Sequence, residues 1–218
     1  MIFCDMVQKQ EKGESAAASR RRGRPRAYDP EAALTRVMET FWKAGYAGTS
    51  LDDLAAATGM NRPSLYAAFG DKRALYLKAL EHYWRMSARA MREVLREDRP
   101  LKDALDEFYV RAIAIYCGAP GRPPGCFSVS TAPTAAAEDE EIRIALAESV
   151  RRLDERLEAL IRAAQQRGEI AAGADPAALA TLATGALHTI AIRARAGVAA
   201  PELESIARKA VATMCSVG

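Results

Sequence analysis

Between Ser50 and Phe69 the residues Asn61, Arg62, Ser64 and Tyr66 bring hydrogen-bonding side chains close together. Leu65 and Phe69, four apart, turn one face of a short helix inward. That leaves Arg62, Pro63, Ser64, Tyr66 and Ala67 toward solvent or a partner. Thr58-Gly59-Met60-Asn61 precedes them as a tight turn centred on glycine, after another short helix. Two short helices about such a turn have helix-turn-helix anatomy, in which the second helix enters the major groove of DNA. The chemistry in view is hydrogen bonding, not bond cleavage. No P-loop, nucleophile elbow, HExxH or dinucleotide fingerprint occurs, and no enzyme activity is expected.

The charge distribution points the same way. Through Arg73 there are 12 Lys and Arg against 9 Asp and Glu, and beyond it 19 against 19. The formal net charge of +3 therefore comes from the first third. Arg20, Arg21, Arg22, Arg24 and Arg26 crowd together there. Such a run reads as a nucleic-acid contact, a localisation signal or a solubilising tail. Gly23-Arg24-Pro25-Arg26 is similar to the short basic arms that enter a minor groove, since glycine adds no bulk and proline imposes extended geometry. A freely moving arm that contributes only counterion release fits the same residues.

Other chemistries lack their residues. Cys4, Cys117, Cys126 and Cys215 include no CxxC, and His82 and His188 are the only imidazoles. No zinc pattern forms, and neither a metal nor another cofactor is expected. The first residues lack an apolar signal-peptide core, so a cytoplasmic protein without a disulfide framework is expected. The apolar stretch 177–194 is broken by Thr181, Thr184, His188, Thr189 and Arg193, and reads as a buried helix rather than a membrane span.

Helices must position these groups. Residues 1–27 are polar and are expected to be a disordered basic arm. Asp29 caps, and Pro30 opens, a first helix with Ala33, Val37, Phe41 and Trp42 at helical spacing, closed by Gly45. Thr49-Ser50, with a carboxylate about three residues on, starts the second, and Gly59 ends it. Asn61 caps the third, which tolerates Pro63 in its first turn and ends near Gly70. Asp71 caps a long fourth helix to about Arg96, with Leu75, Leu80, Trp84, Met91 and Val94 as its stripe. Beyond Pro100 follow a helix from Leu101 to Cys117, a Gly/Pro loop, and a short element near Cys126 to Thr131 interrupted by Pro133. The longest helix spans Asp139 to Arg167; another runs from Asp175 through Ala196, and Pro201 starts the last. No strand alternation or internal repeat occurs, so the fold class is all-α.

The run from Thr49 to Leu75 resembles the DNA-binding domain of the tetracycline-repressor (TetR/AcrR) family. The hallmarks are a Thr/Ser-started helix, Ala and Gly at the turn, then Tyr-x-x-Phe and Lys-x-x-Leu, here Tyr66/Phe69 and Lys72/Leu75. The resemblance covers about 28–80 and implies a homodimeric repressor released from double-stranded operator DNA by a small-molecule effector. It assigns Tyr66 and Lys72 to phosphates, a hydroxyl or amide of Thr49 or Ser50 to the DNA backbone, and Arg62, Ser64 and Ala67 to base edges. Asn61 and Pro63, at the head of the same helix, join this set, as do Arg24 and Arg26 of the arm. The implied division is 1–27 arm, 28–73 helix-turn-helix domain and 74–218 helical effector-binding and dimerisation domain.

In that larger domain the resemblance implies that the last two helices pair with their copies. Ala178, Ala180, Ala183, Gly185 and Ala186 are small enough for close packing, and Leu179, Leu182, Leu187 and Ile190 supply a stripe. Effector candidates are Tyr83, Trp84, Phe108, Tyr116, Cys117, Phe127 and His188, although an aromatic or histidine on a helix more often belongs to the core. An alternative keeps the same DNA-binding head and makes Cys117 and Cys126, on either side of the Gly/Pro loop, a thiol or electrophile sensor.

Overall fold

The computed structural model describes residues 29–118 and 123–216; the arm, with Arg24 and Arg26, lies outside the described residues. Among those residues nine helices run in order and no strand occurs. They are α1 (Pro30–Gly48), α2 (Leu51–Thr58), α3 (Arg62–Phe69), α4 (Lys72–Met91), α5 (Leu101–Cys117), α6 (Phe127–Ala136), α7 (Glu140–Gln166), α8 (Pro176–Arg195) and α9 (Ala200–Cys215).

Side chains close most of the helix starts. The amides of Glu31, Ser64, Ala74 and Ile142 donate to the carboxylate or amide oxygens of Asp29, Asn61, Asp71 and Asp139 at 2.8–3.2 Å. At α2 the cap is reciprocal: the Asp53 amide donates to Ser50 Oγ at 3.1 Å, and the Ser50 amide to Asp53 Oδ2 at 2.8 Å. Such a cap is worth about 1 kcal/mol and fixes where the helix begins. Gly59 reverses the chain after α2 with φ 71, a conformation that side-chain-bearing residues resist.

Three boundaries differ from the sequence reading. Gly45 does leave helical geometry (φ 75, ψ 173), but one further turn carries α1 on to Gly48. The fourth helix stops at Met91, and Val94 and Leu95 are buried from the turn that follows. Pro133 does not interrupt α6. It sits on the exposed side late in the helix, and Phe127, Ala132, Ala135 and Ala136 bury the opposite side. One lost backbone hydrogen bond facing water is outweighed by that burial.

Packing sorts the helices into a small head, α1–α3, and a bundle beneath it. Trp42, Phe41, Leu54, Leu65 and Phe69 form the centre of the head. The junction between head and bundle is aromatic. Phe127 of α6 lies 5.7 Å from Trp42 of α1, 6.0 Å from Tyr76 and 5.7 Å from Tyr83, the last two on α4. Below it α7 packs on α8, and α5 on α9. Helix α8 is long and apolar enough to cross a membrane, yet Leu179, Ala183, Leu187, Ile190 and Ala194 are buried inside the bundle, as expected of a core helix.

Since Phe127 contacts rings of the head and of α4 at once, Phe127→Ala should destabilise the protein by about 3–5 kcal/mol. Urea unfolding checks this, and a loss below about 1 kcal/mol would show that the junction carries little of the stability.

Candidate nucleic-acid interface

Helix α3 presents its polar side to solvent. Arg62, Pro63, Ser64, Tyr66 and Ala67 are all exposed, Tyr66 by 60%, while Leu65 and Phe69 are buried. Asn61 is exposed too, but its side-chain oxygen is committed to the Ser64 amide. The surface is therefore anchored from behind by Leu65 and Phe69 and open to solvent in front, as a groove-reading helix requires.

Lys72, at the start of α4, is braced. Its ammonium lies 3.4 Å from the Ala47 carbonyl and 4.8 Å from the centre of the Tyr46 ring. Carbonyls at the end of α1 and the face of a ring both favour a cation at that point. Thr49 and Ser50 are spent differently. Thr49 is buried and its hydroxyl donates to the Gly45 carbonyl at 2.7 Å, so that hydroxyl cannot also meet a phosphate. Ser50 is exposed, with its hydroxyl engaged by Asp53 at 2.6 Å.

Arg62 is not free either. Its Nε donates to Asp52 Oδ1 and its Nη2 to Asp52 Oδ2, a two-pronged pair across the turn. The hydrogen bonds from Arg62 hold the Asp52 carboxyl below the usual carboxylate range. Asp52 escaped the sequence reading because it lies ten positions from Arg62, a spacing that no single-helix periodicity brings together.

The seven effector candidates do not converge on one site. Tyr83, Tyr116 and Phe127 meet around Cys126: the Tyr83 hydroxyl donates to Cys126 Sγ at 3.1 Å, and the Tyr116 phenol faces the same sulfur. Burial pushes both phenols far above the ordinary tyrosine value, so they stay neutral hydrogen-bonding groups. Phe108 stacks edge-on with Tyr109 in α5, at 5.2 Å, and Trp84 is half-buried. His188 lies between α7 and α8 beside Asp154, and burial lowers its pKa, which favours the neutral imidazole. Two surface depressions, of about 740 and 340 Å³, are lined by none of the seven.

The two cysteines beside the loop are in different surroundings. The Gly125 amide donates to the Tyr116 carbonyl at 2.7 Å and draws the ends of the loop together. Cys126 is buried against Tyr83, whereas Cys117 is exposed and within reach of the Glu204 charge on α9. Partial burial, and then Glu204, push the Cys117 thiol up, the opposite of what a reactive thiolate needs.

Fold and surface together define a helix-turn-helix DNA-binding regulator. The family model described as bacterial regulatory proteins, tetR family, matches residues 34–79. A second, described as tetracyclin repressor-like, C-terminal domain, matches residues 100–211. The chain belongs to the TetR family of transcriptional regulators. It is similar to the transcriptional repressor ComR of Escherichia coli K12, 33% identical over 187 residues, which cover 85% of this chain and 89% of ComR. BdcR, another repressor of that organism, is 37% identical over 98 residues, 45% of this chain and 50% of BdcR. Among solved structures, a cysteine mutant of the TetR-family regulator CifR bound to double-strand operator DNA has a TM-score of 0.80 and 33% identity. That match covers 87% of this chain and 98% of CifR.

In a Cys4→Ser, Cys215→Ser background, iodoacetamide should modify one thiol of the native protein, Cys117, and reach Cys126 only on unfolding. The rate should climb about tenfold per pH unit through and beyond the ordinary thiol range, because the Cys117 pKa is raised. Two reactive native thiols, or a rate that levels off below that range, would contradict the geometry.

Proposed function

We propose that the protein is a homodimeric repressor that grips operator DNA through α3 and lets go when a small molecule enters its helical domain. The carrying observation is the exposed, rigidly backed face of α3, in a chain whose relative CifR is seen on operator DNA. In this reading Arg62, Ser64 and Ala67 meet base edges, and Tyr66 and Lys72 meet phosphates on either side. Ser50, Asn61 and Pro63 complete the surface at the helix starts. Residues 29–73 hold 5 Lys and Arg against 6 Asp and Glu, so the attraction for DNA must come chiefly from the arginines of the arm, Arg24 and Arg26 among them. The protein works in the cytoplasm and carries out no catalytic step.

Two features support the dimer. Along α8, Ala178, Leu182, Gly185, Thr189 and Ile192 fall on one exposed face, with Leu182 61% and Ile192 59% exposed. Nothing lies within 4 Å of a side chain built at Gly185, so this face has room for a second helix to approach closely. Operator reading by this motif uses two half-sites, which a two-fold dimer supplies.

Release requires the bundle to move the head, and the connections exist. Arg195 of α8 reaches the Trp42 carbonyl of α1 and the Pro124 carbonyl of the loop, each at 3.4 Å. The effector enters beside Tyr83, Tyr116 and Phe127, where two phenols, a thiol and the hydroxyl of Ser128 lie in an otherwise largely apolar interior; that chemistry suits an apolar or amphipathic molecule. Insertion there displaces the aromatic junction and, through it, the head.

Replacing Lys72 by Ala should weaken binding to any duplex and lower the slope of log K against log salt by about one per subunit. Fluorescence anisotropy across a salt series measures this, and an unchanged slope would remove Lys72 from the phosphate contacts. Leu182→Glu should convert the dimer to a monomer in sedimentation equilibrium and cost operator affinity; a variant that stays dimeric would move the interface off α8.

A further inference from the structure

The pair formed by Asp52 and Arg62 has little to do for stability. Both side chains are exposed, Arg62 by 60% and Asp52 by 68%, and exposed ion pairs contribute little to folding. It also sits badly for DNA binding in general, because a carboxylate on a face that approaches phosphates repels them. What the pair does fix is direction. A guanidinium has two forked edges, a side edge of Nε and one Nη, and an end edge of both Nη groups. Asp52 occupies the side edge of Arg62 through Nε and Nη2. The end edge, with one N–H from each Nη, is left over, and its spacing matches the O6 and N7 acceptors of guanine. No neighbouring carboxylate duplicates this role, since Asp53 is engaged by Ser50 in the cap of α2.

We infer that Asp52 is a specificity-determining positioning residue: it clamps the side edge of Arg62 so that only the end edge can read DNA, which selects guanine at one position of each half-site. The inference rests on α3 reading the major groove as proposed above. Without the clamp, Arg62 is free to swing between a base and the phosphates on either side, and sequence preference falls while general affinity does not. Asp52 thus exchanges attraction for discrimination. The competing possibility is an incidental surface pair that Arg62 leaves when DNA arrives.

The test uses the full-length protein as wild type, Asp52→Ala, Asp52→Asn and Arg62→Ala. Each selects duplexes from a library randomised over one operator length. Each is then titrated against the wild-type consensus carrying guanine, 7-deazaguanine or adenine at the position that Arg62→Ala relaxes. Thermal melting should be nearly the same for all four, given the exposure of both side chains. In Asp52→Ala, the preference for guanine at that position should fall on the order of tenfold, the worth of one bidentate base contact, with affinity for unrelated DNA unchanged or higher. Asp52→Asn, which keeps one acceptor oxygen, should lose less. If Asp52→Ala binds every duplex more tightly and keeps the wild-type preference, the pair is incidental and the inference is wrong. It is equally wrong if Arg62→Ala relaxes no position. Should the wild type enrich no sequence at all, the reading of α3 as a recognition helix fails, and this inference with it.

Discussion

The contact of Phe127 with Trp42, Tyr76 and Tyr83 is the constraint on which the rest of the structure depends. It joins three helices at one point: α1 from the head, α4 that leads out of the head, and α6 from the bundle. Close-packed rings do not deform continuously; they keep one arrangement or shift to another. The junction ties α1 and α4, the two long helices of and beside the head, to α6 of the bundle, and its rings border the thiol and phenols of the buried polar cluster. Arg195 braces the junction from below, through carbonyls of α1 and of the loop. His82 braces it from the side: its ring nitrogens lie 3.1 Å from Thr35 Oγ1 and 3.0 Å from a Glu31 carboxylate oxygen, both on α1. In the proposed mechanism, a change in the bundle that disturbs these rings alters the angle of the head.

Affinity and sequence reading fall to different parts of the chain in the proposed function. The described part of the head carries slightly more acid than base, and two of its acids stand in the first turn of α2. Of these, Asp53 builds the cap that starts α2 and Asp52 engages Arg62. Both positions are explained by geometry, at some cost in attraction for DNA. In the proposed function the arginine run before Tyr28 supplies the non-specific attraction and α3 the discrimination.

Much of this was legible in the sequence because the signals are local. Asp29, Asn61, Asp71, Asp139 and Asp175 all cap the helices their positions announced, and Gly59 makes the turn. The inward and outward faces of α3 follow from the spacing of Leu65 and Phe69 alone. What was not legible depends on contacts between distant segments. Pro133 stays helical because of the residues buried behind it, and α4 ends early because Val94 and Leu95 turn into the core. Thr49 offers a hydroxyl in the sequence, but the fold spends it on Gly45. Composition cannot tell which of the seven effector candidates share one place, and the fold gathers Tyr83, Tyr116 and Phe127 beside Cys126.

Methylation interference distinguishes an α3 seated in the major groove of two symmetric half-sites from any other mode of binding. Operator selected by the wild-type protein is methylated with dimethyl sulfate, which marks guanine N7 in the major groove and adenine N3 in the minor groove. The account predicts that bound DNA is depleted of N7 methylation in two patches on one face of the duplex, about 10 base pairs or a multiple of that apart. Interference confined to adenine N3, or a single unpaired patch of N7 methylation, would contradict it.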